Sequence, residues 1–331
     1  MDAAVTSTDN LPQTGSDAFA AQIEPFRRQL QAHCYRMTGS VQEAEELAQE
    51  ALLRAWQHRA TFEGRGTLRA WLYKIATNVC LNALERRPRR SLPIGRDAAA
   101  KIGEAIPPAL REPVWLEPFP DEMPAGEDAN PEAVRANHES VTLAFMIVLH
   151  RLPARQRAVL ILSDVLEFSA KEVADLLEVT VSAAKSVLFR ARQSLTETHS
   201  PTDADAQIDA SLLQRYVDVW QRTDIDGLVA LLKTDASFSM PPIPVWYQGH
   251  EAIRWLIGRT VFAGAPDRRW KLLPTRANGR HAFGLYKFDD ADGLFKAYGI
   301  QVVTFAGRQV ADITTCINPA LFASFKLPAT A

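Results

Sequence analysis

The stretch from Ser40 to Arg90 constrains this chain most, because it encodes two successive helices with unusual polar surfaces. Ser40 followed three residues later by Glu43 is a capping-box pattern, which predicts a helix beginning at Val41. At about 100° per residue, one side of this helix is small and apolar and should face the core. The predicted core residues are Ala44, Leu47, Ala48, Ala51 and Ala55.

The opposite side of the same helix combines acidic side chains with large apolar ones. An apolar anchor inside a charged rim is typical of a docking surface, here for a basic partner. The pattern equally allows Leu53 and Trp56 to pack beneath a neighbouring helix while the acids are simply solvated. On the docking interpretation the contact residues are Glu45, Glu46, Gln49, Glu50 and Leu53.

A second helix follows a flexible loop that contains Gly64 and Gly66. Thr67 is a suitable N-cap for this helix, and Pro88 ends it. The arginines crowded at its C-terminal end exceed what the helix dipole requires, and they indicate a nucleic-acid surface. The candidate DNA-binding residues are Phe62, Arg65, Thr67, Lys74, Asn78, Asn82, Arg86 and Arg87.

The segments EAEELAQEALLRAW and FEGRGTLRAWLYKIATNVCLNALERR resemble region 2 of bacterial sigma factors of the extracytoplasmic-function group. The resemblance implies that the acidic helix binds the clamp helices of the RNA polymerase beta-prime subunit. It also implies that the following loop and helix recognise and open the −10 promoter element. An unstacked base held in the loop would explain a phenylalanine near two glycines.

A basic module precedes an acidic connector, although the net charge of the whole chain is only −2. Residues 24–90 hold 12 Lys and Arg against 7 Asp and Glu, whereas residues 91–137 hold 4 against 9. Prolines exclude a continuous helix in the connector. Trp115 and Phe119 should dock either on a neighbouring domain or on polymerase. By resemblance, this linker threads through the polymerase near the RNA exit path.

Residues 138–198 are predicted to be helical again and to end in a helix-turn-helix. Ser169 and Glu172 form a second capping box, and a short turn leads into a helix over Val181–Leu195. Short matches of this kind are common by chance. The inward-facing residues of the last helix are predicted to be Val181, Ala184, Leu188, Ala191 and Leu195.

The preceding segment LPARQRAVLIL, and its position after the first module, make this part resemble sigma region 4. The resemblance implies contact with the polymerase beta flap and with the −35 promoter element. In a recognition helix, flanking basic residues contact phosphates while outward-facing residues reach the bases. The candidate −35 residues are Ser182, Lys185, Ser186, Arg190 and Arg192.

The pattern changes in residues 207–331, where two helices precede a set of strands and another helix covers Glu251–Gly258. This order predicts an α+β cone with a curved antiparallel sheet. The segments YVDVWQRTDIDGLVALLKTDASFSMPP and YQGHEAIRWLI resemble SnoaL-like members of the NTF2-like superfamily. The predicted strands are Ala236–Met240, Trp270–Ala277, His281–Phe288, Leu294–Phe305 and Gln309–Cys316.

Aromatic residues of the cone are either ordinary core or the lining of a ligand pocket. The pocket candidates are Trp220, Phe238, Trp246, Tyr247, Trp255 and Tyr286. Catalytic relatives in the superfamily use an Asp or a His as acid or base, a part open here to His281, Asp312 or Tyr247. Ordinary solvated side chains account for these three residues more simply, so no catalytic residue is predicted.

The expected architecture is therefore multidomain: two all-α sigma domains followed by an α+β SnoaL-like (NTF2-like) cone. Residues 1–22 are expected to be disordered, 23–90 to be region 2, 91–137 the linker, 138–198 region 4 and 207–331 the cone. The three cysteines are isolated in sequence and indicate buried thiols in a reducing cytoplasm, with no metal site and no cofactor. No apolar stretch of membrane-spanning length is present.

The predicted function is an alternative sigma factor whose partners are core RNA polymerase and promoter DNA, with the cone modulating its activity in cis. An anti-sigma factor or a small-molecule ligand of the cone is left open as a further partner. Two alternatives remain at this point. One is a helix-turn-helix regulator with a ligand-binding cone, and the other is a sigma factor fused to a catalytic SnoaL-like cyclase or isomerase.

Overall fold

The computed structural model describes residues 14–62, 67–85, 89–94, 97–110, 114–121, 142–196, 208–263 and 269–331. Two helical bundles precede an α+β cone. The first bundle contains α1 (Thr14–Ile23), α2 (Arg27–Thr38), α3 (Val41–Gln57) and α4 (Leu68–Leu84). The second bundle contains α5 (Leu143–Leu149), α6 (Ala154–Leu160), α7 (Ala170–Leu177) and α8 (Val181–Thr196).

The cone begins with two helices, closes with a sheet and ends in a short helix. Its helices are α9 (Ala210–Gln221), α10 (Ile225–Leu231), α11 (His250–Arg259) and α12 (Leu321–Ser324). Its strands are β1 (Leu232–Ser239), β2 (Trp246–Gln248), β3 (Trp270–Ala277), β4 (Arg280–Asp289), β5 (Leu294–Ala306) and β6 (Gln309–Cys316). No helix among the described residues is both long and apolar enough to cross a bilayer.

The N-terminus differs from the prediction in two ways. Helix α1 covers residues 14–23, so the expectation of disorder over 1–22 is wrong for 14–22, while 1–13 lie outside the described residues. Apolar spacing in the sequence predicts one helix over Ile23–Thr38, but the structure interrupts it with a 3-10 turn, Glu24–Phe26. Pro25 explains the break, because proline lacks the N–H that a continuous α-helix would use.

The predicted helix starts are confirmed by their caps. The hydroxyl of Ser40 accepts a hydrogen bond from the Glu43 N–H at 3.3 Å, and that of Thr67 accepts one from the Ala70 N–H at 3.1 Å. Ser169 and Glu172 form the complete reciprocal capping box. Each side-chain oxygen satisfies an N–H that would otherwise lack an intrahelical partner.

The sheet has the strand order β2-β1-β6-β5-β4-β3. Strand β1 pairs in parallel with β6, with Phe238 beside Ile313, so the prediction of a wholly antiparallel sheet is wrong. Parallel neighbours require a long connection, and the chain from β2 to β5 provides it. The three-residue strand β2 was not predicted, because so short a run carries no alternation signal.

Two apolar cores share this sheet. Successive residues of a strand point to opposite faces, so Val302 and Val303 of β5 enter different cores. The face with Val303 closes over α9 and α11 to form the cone interior. The face with Val302 continues the core of both helical bundles, joined by Phe322 of α12. The two sigma-like parts and the cone are therefore one packed unit in this structure.

We predict that Gly39→Ala destabilises the protein more than Gly307→Ala. Both glycines have positive φ (73° and 62°), so alanine costs about 1 kcal/mol at either position. A Cβ at Gly39 would also lie 2.5 Å from Leu116 and 2.7 Å from His150, whereas at Gly307 it would meet nothing within 4 Å. The added crowding should cost Gly39→Ala about 1–3 kcal/mol more.

Urea denaturation of both variants, followed by tryptophan fluorescence, measures the difference. Equal losses in the free energy of unfolding would show that Leu116 and His150 move aside for the added methyl group at no cost, which would contradict the prediction.

Candidate polymerase- and promoter-binding surfaces

The acidic side of α3 faces solvent. Its alanines at 44, 48, 51 and 55 are all buried, which confirms the predicted orientation of the helix. On the other side, Glu45, Glu46 and Gln49 are exposed and Glu50 is half-buried. Leu53 is 55% exposed, so the alternative in which it packs beneath a neighbouring helix is wrong. An exposed leucine ringed by acids has the form of a docking anchor.

Two arginines modify the C-terminal end of this face. Arg54 forms an ion pair with Glu50 at 2.5 Å, one helical turn earlier. The Arg59 guanidinium lies 4.5 Å from the centre of the Trp56 ring and makes a cation–π contact with it. Trp56 is still 38% exposed. The acidic character of the surface is therefore strongest in its first two turns.

The N-terminus of α3 is capped by the linker as well as by its own residues. One Glu117 carboxylate oxygen accepts hydrogen bonds from the Ser40 hydroxyl at 2.8 Å and the Val41 N–H at 2.9 Å. A carboxylate is favourable there because the N-terminal N–H groups carry partial positive charge. Glu43 pairs with Arg90 at 2.8 Å, and both side chains are largely buried.

The candidate −10 residues lie along α4 and the loop before it. The Phe62 ring packs against Trp71, with 5.3 Å between ring centres, and is half-buried. Asn78 is half-buried, and Thr67 and Asn82 are exposed. Lys74 forms an ion pair of 2.9 Å with Glu178 of the second bundle. The predicted residues Arg65, Arg86 and Arg87 lie outside the described residues.

The candidate −35 residues share the outer face of α8. Ser182, Lys185, Ser186 and Arg190 are all exposed. Arg192 is also exposed but pairs with Asp164 at 2.6 Å. Sequence reasoning did not assign a role to Phe189, which is 69% exposed on the same helix.

The inward face of α8 is narrower than predicted. Ala184 and Ala191 are buried and Leu188 is half-buried. Val181 was predicted to face inward but is 40% exposed, so that prediction is wrong. It is the first residue of the helix, where the chain has only just left the turn, and the helix has not yet reached the core. The Leu195 side chain lies outside the described set.

The two helical bundles pack directly on one another. Arg157 of α6 is 3% exposed and donates hydrogen bonds to the Met37 carbonyl at the end of α2 and to the Leu152 carbonyl. The His150 ring donates from Nε2 to the Arg36 carbonyl at 3.1 Å. Carbonyl groups at a helix C-terminus attract such donors. Burial and the neighbouring Arg157 charge hold the pKa of His150 well below its ordinary value.

A second contact between the bundles involves Arg69 of α4. Its guanidinium donates to the Leu166 carbonyl at 2.9 Å and lies 4.5 Å from the centre of the Phe168 ring. Phe168 also packs edge-on against Tyr73, with 5.7 Å between ring centres. The second bundle thus covers part of the helix that carries the candidate −10 residues.

The linker segment 114–121, here called the clasp, lies between the first bundle and the cone. Its aromatic residues Trp115 and Phe119 are each 4% exposed, which confirms that they dock on neighbouring domains in this structure. The Tyr35 ring stacks on Phe119, with 4.4 Å between ring centres. The Tyr35 hydroxyl donates to the Glu117 carbonyl at 2.8 Å.

Asn278, in the turn between β3 and β4, connects the clasp to the cone. Its side-chain oxygen accepts the Phe119 N–H at 2.7 Å, and its backbone N–H donates to the Phe119 carbonyl at 2.9 Å. Its side-chain nitrogen donates to the Tyr35 hydroxyl at 3.1 Å. The next residue, Gly279, donates its N–H to the Asp121 carboxylate at 2.9 Å. One fully buried amide therefore joins first bundle, linker and cone.

Comparison with known protein families divides the chain in the same places. The model for Sigma-70 region 2 matches residues 22–90, and that for Sigma-70 region 4 matches residues 143–195. The SnoaL-like domain model matches residues 213–313. These ranges coincide with the first bundle, the second bundle and the cone.

Full-length relatives share this order. ECF RNA polymerase sigma factor SigG of Mycobacterium tuberculosis is 42% identical over 319 residues, which cover 94% of this chain and 84% of SigG. This chain belongs to the ECF RNA polymerase sigma factors. Proteins of this family bind core RNA polymerase and promoter DNA and direct transcription initiation; they are not enzymes and act in the cytoplasm.

Two further relatives match different extents of this sigma factor. SigW of Bacillus subtilis is 28% identical over 180 residues, covering 54% of this chain and 87% of SigW. The crystal structure of Mycobacterium tuberculosis SigJ has a TM-score of 0.56 at 23% identity and covers 94% of this chain and 99% of SigJ. That likeness shows that the fold of the whole chain, cone included, occurs in another protein.

The interior of the cone holds only part of the predicted pocket set. Trp220, Phe238, Tyr247 and Trp255 do belong to the interior core. Tyr286 lies on the other face of the sheet, where its hydroxyl donates to the Pro328 carbonyl at 2.9 Å, so placing it in the pocket is wrong. Sequence alternation placed it on a buried face without deciding which one.

Trp246 is likewise misplaced by the pocket prediction. It lies on the outermost strand, and its indole N–H donates to the Asp97 carbonyl of the linker at 2.8 Å. The polar centre of the cone interior was not predicted. There the buried Gln301 accepts from the Tyr216 hydroxyl at 2.7 Å and donates to Thr315 at 3.0 Å.

The three acid/base candidates of the cone lie in different places. Tyr247 is part of the interior core, and the His281 ring packs edge-on against Phe305 of that core, with 6.0 Å between ring centres. Asp312 accepts hydrogen bonds from the hydroxyls of Ser237 at 2.5 Å and Thr314 at 3.0 Å. Burial raises the pKa of Asp312 to about 6. One carboxylate oxygen is therefore engaged by the neighbouring strand β1 and the other by Thr314 of its own strand, β6. In the described part of the chain no cluster of side chains suits a metal ion, and the three cysteines are buried thiols.

We predict that the two bundles separate more readily below pH 6.5. His150 is neutral in the packed form, where its pKa lies well below 6.5, and regains its ordinary pKa when the bundles part. The separated form therefore binds more protons, and packing weakens by up to about tenfold per pH unit below 6.5. Above pH 6.5 His150 is neutral in both the packed and the separated form, so it no longer makes the packing depend on pH. Small-angle scattering between pH 8 and 5 should show an increasing radius of gyration.

His150→Gln should flatten this dependence, and His58→Gln, at an exposed position, should preserve it. Asp312 acts in the opposite sense, because a carboxyl with a raised pKa destabilises the fold at high pH and not at low pH. An unchanged profile in His150→Gln would assign the dependence to other groups.

Proposed function

We propose that this sigma factor binds core polymerase through α3 and that its cone modulates activity in cis by keeping the two bundles packed together. The observation that carries the proposal is the Asn278 junction, where one buried side chain bonds to the first bundle and to the linker. A domain on the same chain acts at a high effective concentration, so even modest contacts can hold the bundles closed.

The closed arrangement affects the two DNA-binding surfaces differently. Lys74 of the candidate −10 surface is engaged by Glu178, and Arg69 beside it by Leu166. The candidate −35 residues Lys185 and Arg190 remain exposed. On this proposal the closed protein can approach polymerase with its open α3 face, and promoter opening requires the second bundle to leave α4.

On α3 the proposed contacts with the beta-prime clamp helices are Glu45, Glu46, Gln49, Glu50 and Leu53. The −10 element would be contacted by Phe62, Arg65, Thr67, Lys74, Asn78, Asn82, Arg86 and Arg87. The −35 element would be contacted by Ser182, Lys185, Ser186, Arg190 and Arg192, and the beta flap by the second bundle.

We infer that the cone has no catalytic role. Asp312, its strongest acid/base candidate, has each carboxylate oxygen hydrogen-bonded to a hydroxyl, and it is removed from the Gln301 network of the interior. Thr315 of that network and Asp312 are three residues apart along β6 and therefore point to opposite faces of the sheet, so this carboxylate does not face a substrate held in the interior. The exposed α3 face likewise favours a polymerase partner over a regulator that needs DNA alone. An anti-sigma factor or a cone ligand would act on this same closed state.

We predict that Leu53→Asp weakens affinity for core polymerase at least tenfold. The substitution removes an exposed apolar anchor, and truncating such an anchor costs about 2 kcal/mol or more at an interface. Fluorescence anisotropy of labelled full-length protein titrated with core polymerase measures the effect.

Leu294→Asp is the matched control, because Leu294 is 47% exposed at the start of β5 in the cone. It should bind polymerase as the unaltered protein does. Loss of affinity in both variants, or in neither, would remove the support for α3 as the docking surface.

We predict that Asn278→Gly raises promoter-dependent transcription several-fold in vitro. Glycine tolerates the φ of 52° at this position, so the change removes the side-chain hydrogen bonds without straining the backbone. Losing two or three such bonds weakens docking by about 2 kcal/mol.

Asp292→Gly, which removes carboxylate contacts to Leu294 and Lys296 within another turn of the cone, should leave transcription unchanged. If Asn278→Gly transcribes no better than the unaltered protein, the clasp does not restrain the sigma factor.

A further inference from the structure

The first half of the linker makes a separate contact with the cone. Residues 97–110, here called the edge segment, lie alongside β2, which is one of the two edge strands of the sheet. The Ala100 N–H donates to the Trp246 carbonyl at 2.8 Å, and the Trp246 indole returns a hydrogen bond to the Asp97 carbonyl at 2.8 Å. An exposed strand edge has unpaired backbone groups, and these bonds satisfy part of them.

The contact extends beyond the strand into the loop that precedes it. The Leu110 N–H donates to the Pro242 carbonyl at 3.0 Å. Between these attachment points, Ala100 and Ile106 are half-buried against the core of the cone interior. Ile102 points away and is 50% exposed. The edge segment thus presents two apolar residues and two backbone donors to the cone, with a turn over Lys101–Glu104 between Ala100 and Ile106.

Binding of this type resembles the recognition mode in which a peptide joins the edge of a sheet, but the segment attaches at separate points, Ala100 on β2 and Leu110 on the preceding loop, and forms no continuous strand. Backbone hydrogen bonds supply affinity, and pockets for individual side chains supply selectivity. Here the backbone donors are Ala100 and Leu110, and the inserted side chains are Ala100 and Ile106. The bonded cone groups are all on residues 242–246, so one compact surface holds both ends of the segment.

We propose that the β2 edge and the loop before it are a peptide-binding site. The edge segment occupies this site in the structure, and it is released when the sigma factor engages polymerase. This inference rests on the proposed modulation in cis and adds a second restraint to it. Residues 90–97 span at most about 25 Å when extended, so a bound edge segment keeps the first bundle near the cone even after the clasp opens.

Polymerase and the cone would then compete for the same stretch of linker. A linker that follows a polymerase channel cannot also donate its N–H groups to Trp246 and Pro242. Each hydrogen bond and each buried side chain of the edge segment therefore opposes full extension between the two bundles. The cone acts on the linker directly as well as on the bundles.

The test compares Ile106→Asp with Ile102→Asp in the full-length protein. The first places a charge against the cone interior, and the second changes an exposed isoleucine of the same segment. Hydrogen exchange at the Ala100 and Leu110 amides should accelerate at least tenfold in Ile106→Asp and remain unchanged in Ile102→Asp. Affinity for core polymerase should rise about fivefold in Ile106→Asp alone.

Leu110→Pro provides a second variant that does not touch the cone core. It removes one N–H donor from an exposed position in a proline-rich stretch and should shift exchange at Ala100 and polymerase affinity in the same direction. Slow exchange persisting in both Ile106→Asp and Leu110→Pro would show that the edge does not hold the segment. Faster exchange with unaltered polymerase affinity would show that polymerase does not compete for it.

The outcomes also separate this inference from the clasp. If Asn278→Gly activates transcription and Ile106→Asp leaves polymerase affinity unaltered, restraint by the clasp is supported and the edge site is contradicted. If Ile106→Asp tightens polymerase binding and Asn278→Gly has no effect, the edge site is supported and restraint by the clasp is contradicted.

Discussion

The side-chain amide of Asn278 is the interaction on which the arrangement of this sigma factor depends. Buried amides are costly unless their donors and acceptors are satisfied, and the groups that satisfy this one come from other parts of the chain. Its oxygen takes the Phe119 N–H and its nitrogen bonds to the Tyr35 hydroxyl. Separating cone and first bundle would leave these groups unpaired until water reached them. The junction therefore favours either complete docking or complete release.

The same junction extends to α3, the helix that carries the exposed acidic face. Glu117 belongs to the clasp, yet its carboxylate caps the N-terminus of α3. On the other side of Gly39, His150 and Arg157 bond to the last carbonyl groups of α2. The α2–α3 corner is thus contacted by the linker and by the second bundle at once. A change in docking at one of these sites reaches the other through a few bonded atoms.

The cone serves this arrangement with surfaces other than its interior. One sheet face is part of the core of the bundles, the β3–β4 turn holds the clasp, and the β2 edge holds the linker. The interior is filled by aromatic side chains around the Gln301 network. The cone thus presents three contact surfaces to the rest of its own chain. Both faces of the sheet are buried. A largely antiparallel sheet commonly packs one face on its core and leaves the other in solvent, and here the second face is covered by the bundles.

Local sequence determined much of this protein. The capping residues Ser40, Thr67 and Ser169 set helix starts correctly, because a cap acts within three residues. The solvent-facing side of α3 followed from its 3.6-residue period, and region 2, region 4 and the SnoaL-like domain followed from motifs. Most strand bounds followed from alternation and turn residues.

Only the tertiary structure decided how these parts meet. Alternation shows that Tyr286 and Phe238 are buried in a sheet, but not that they enter different cores. The parallel pairing of β1 with β6, the engagement of Lys74 by Glu178 and the capping of α3 by Glu117 each join residues far apart in the chain. Such contacts depend on the free energy of packing whole surfaces together, which no local pattern encodes.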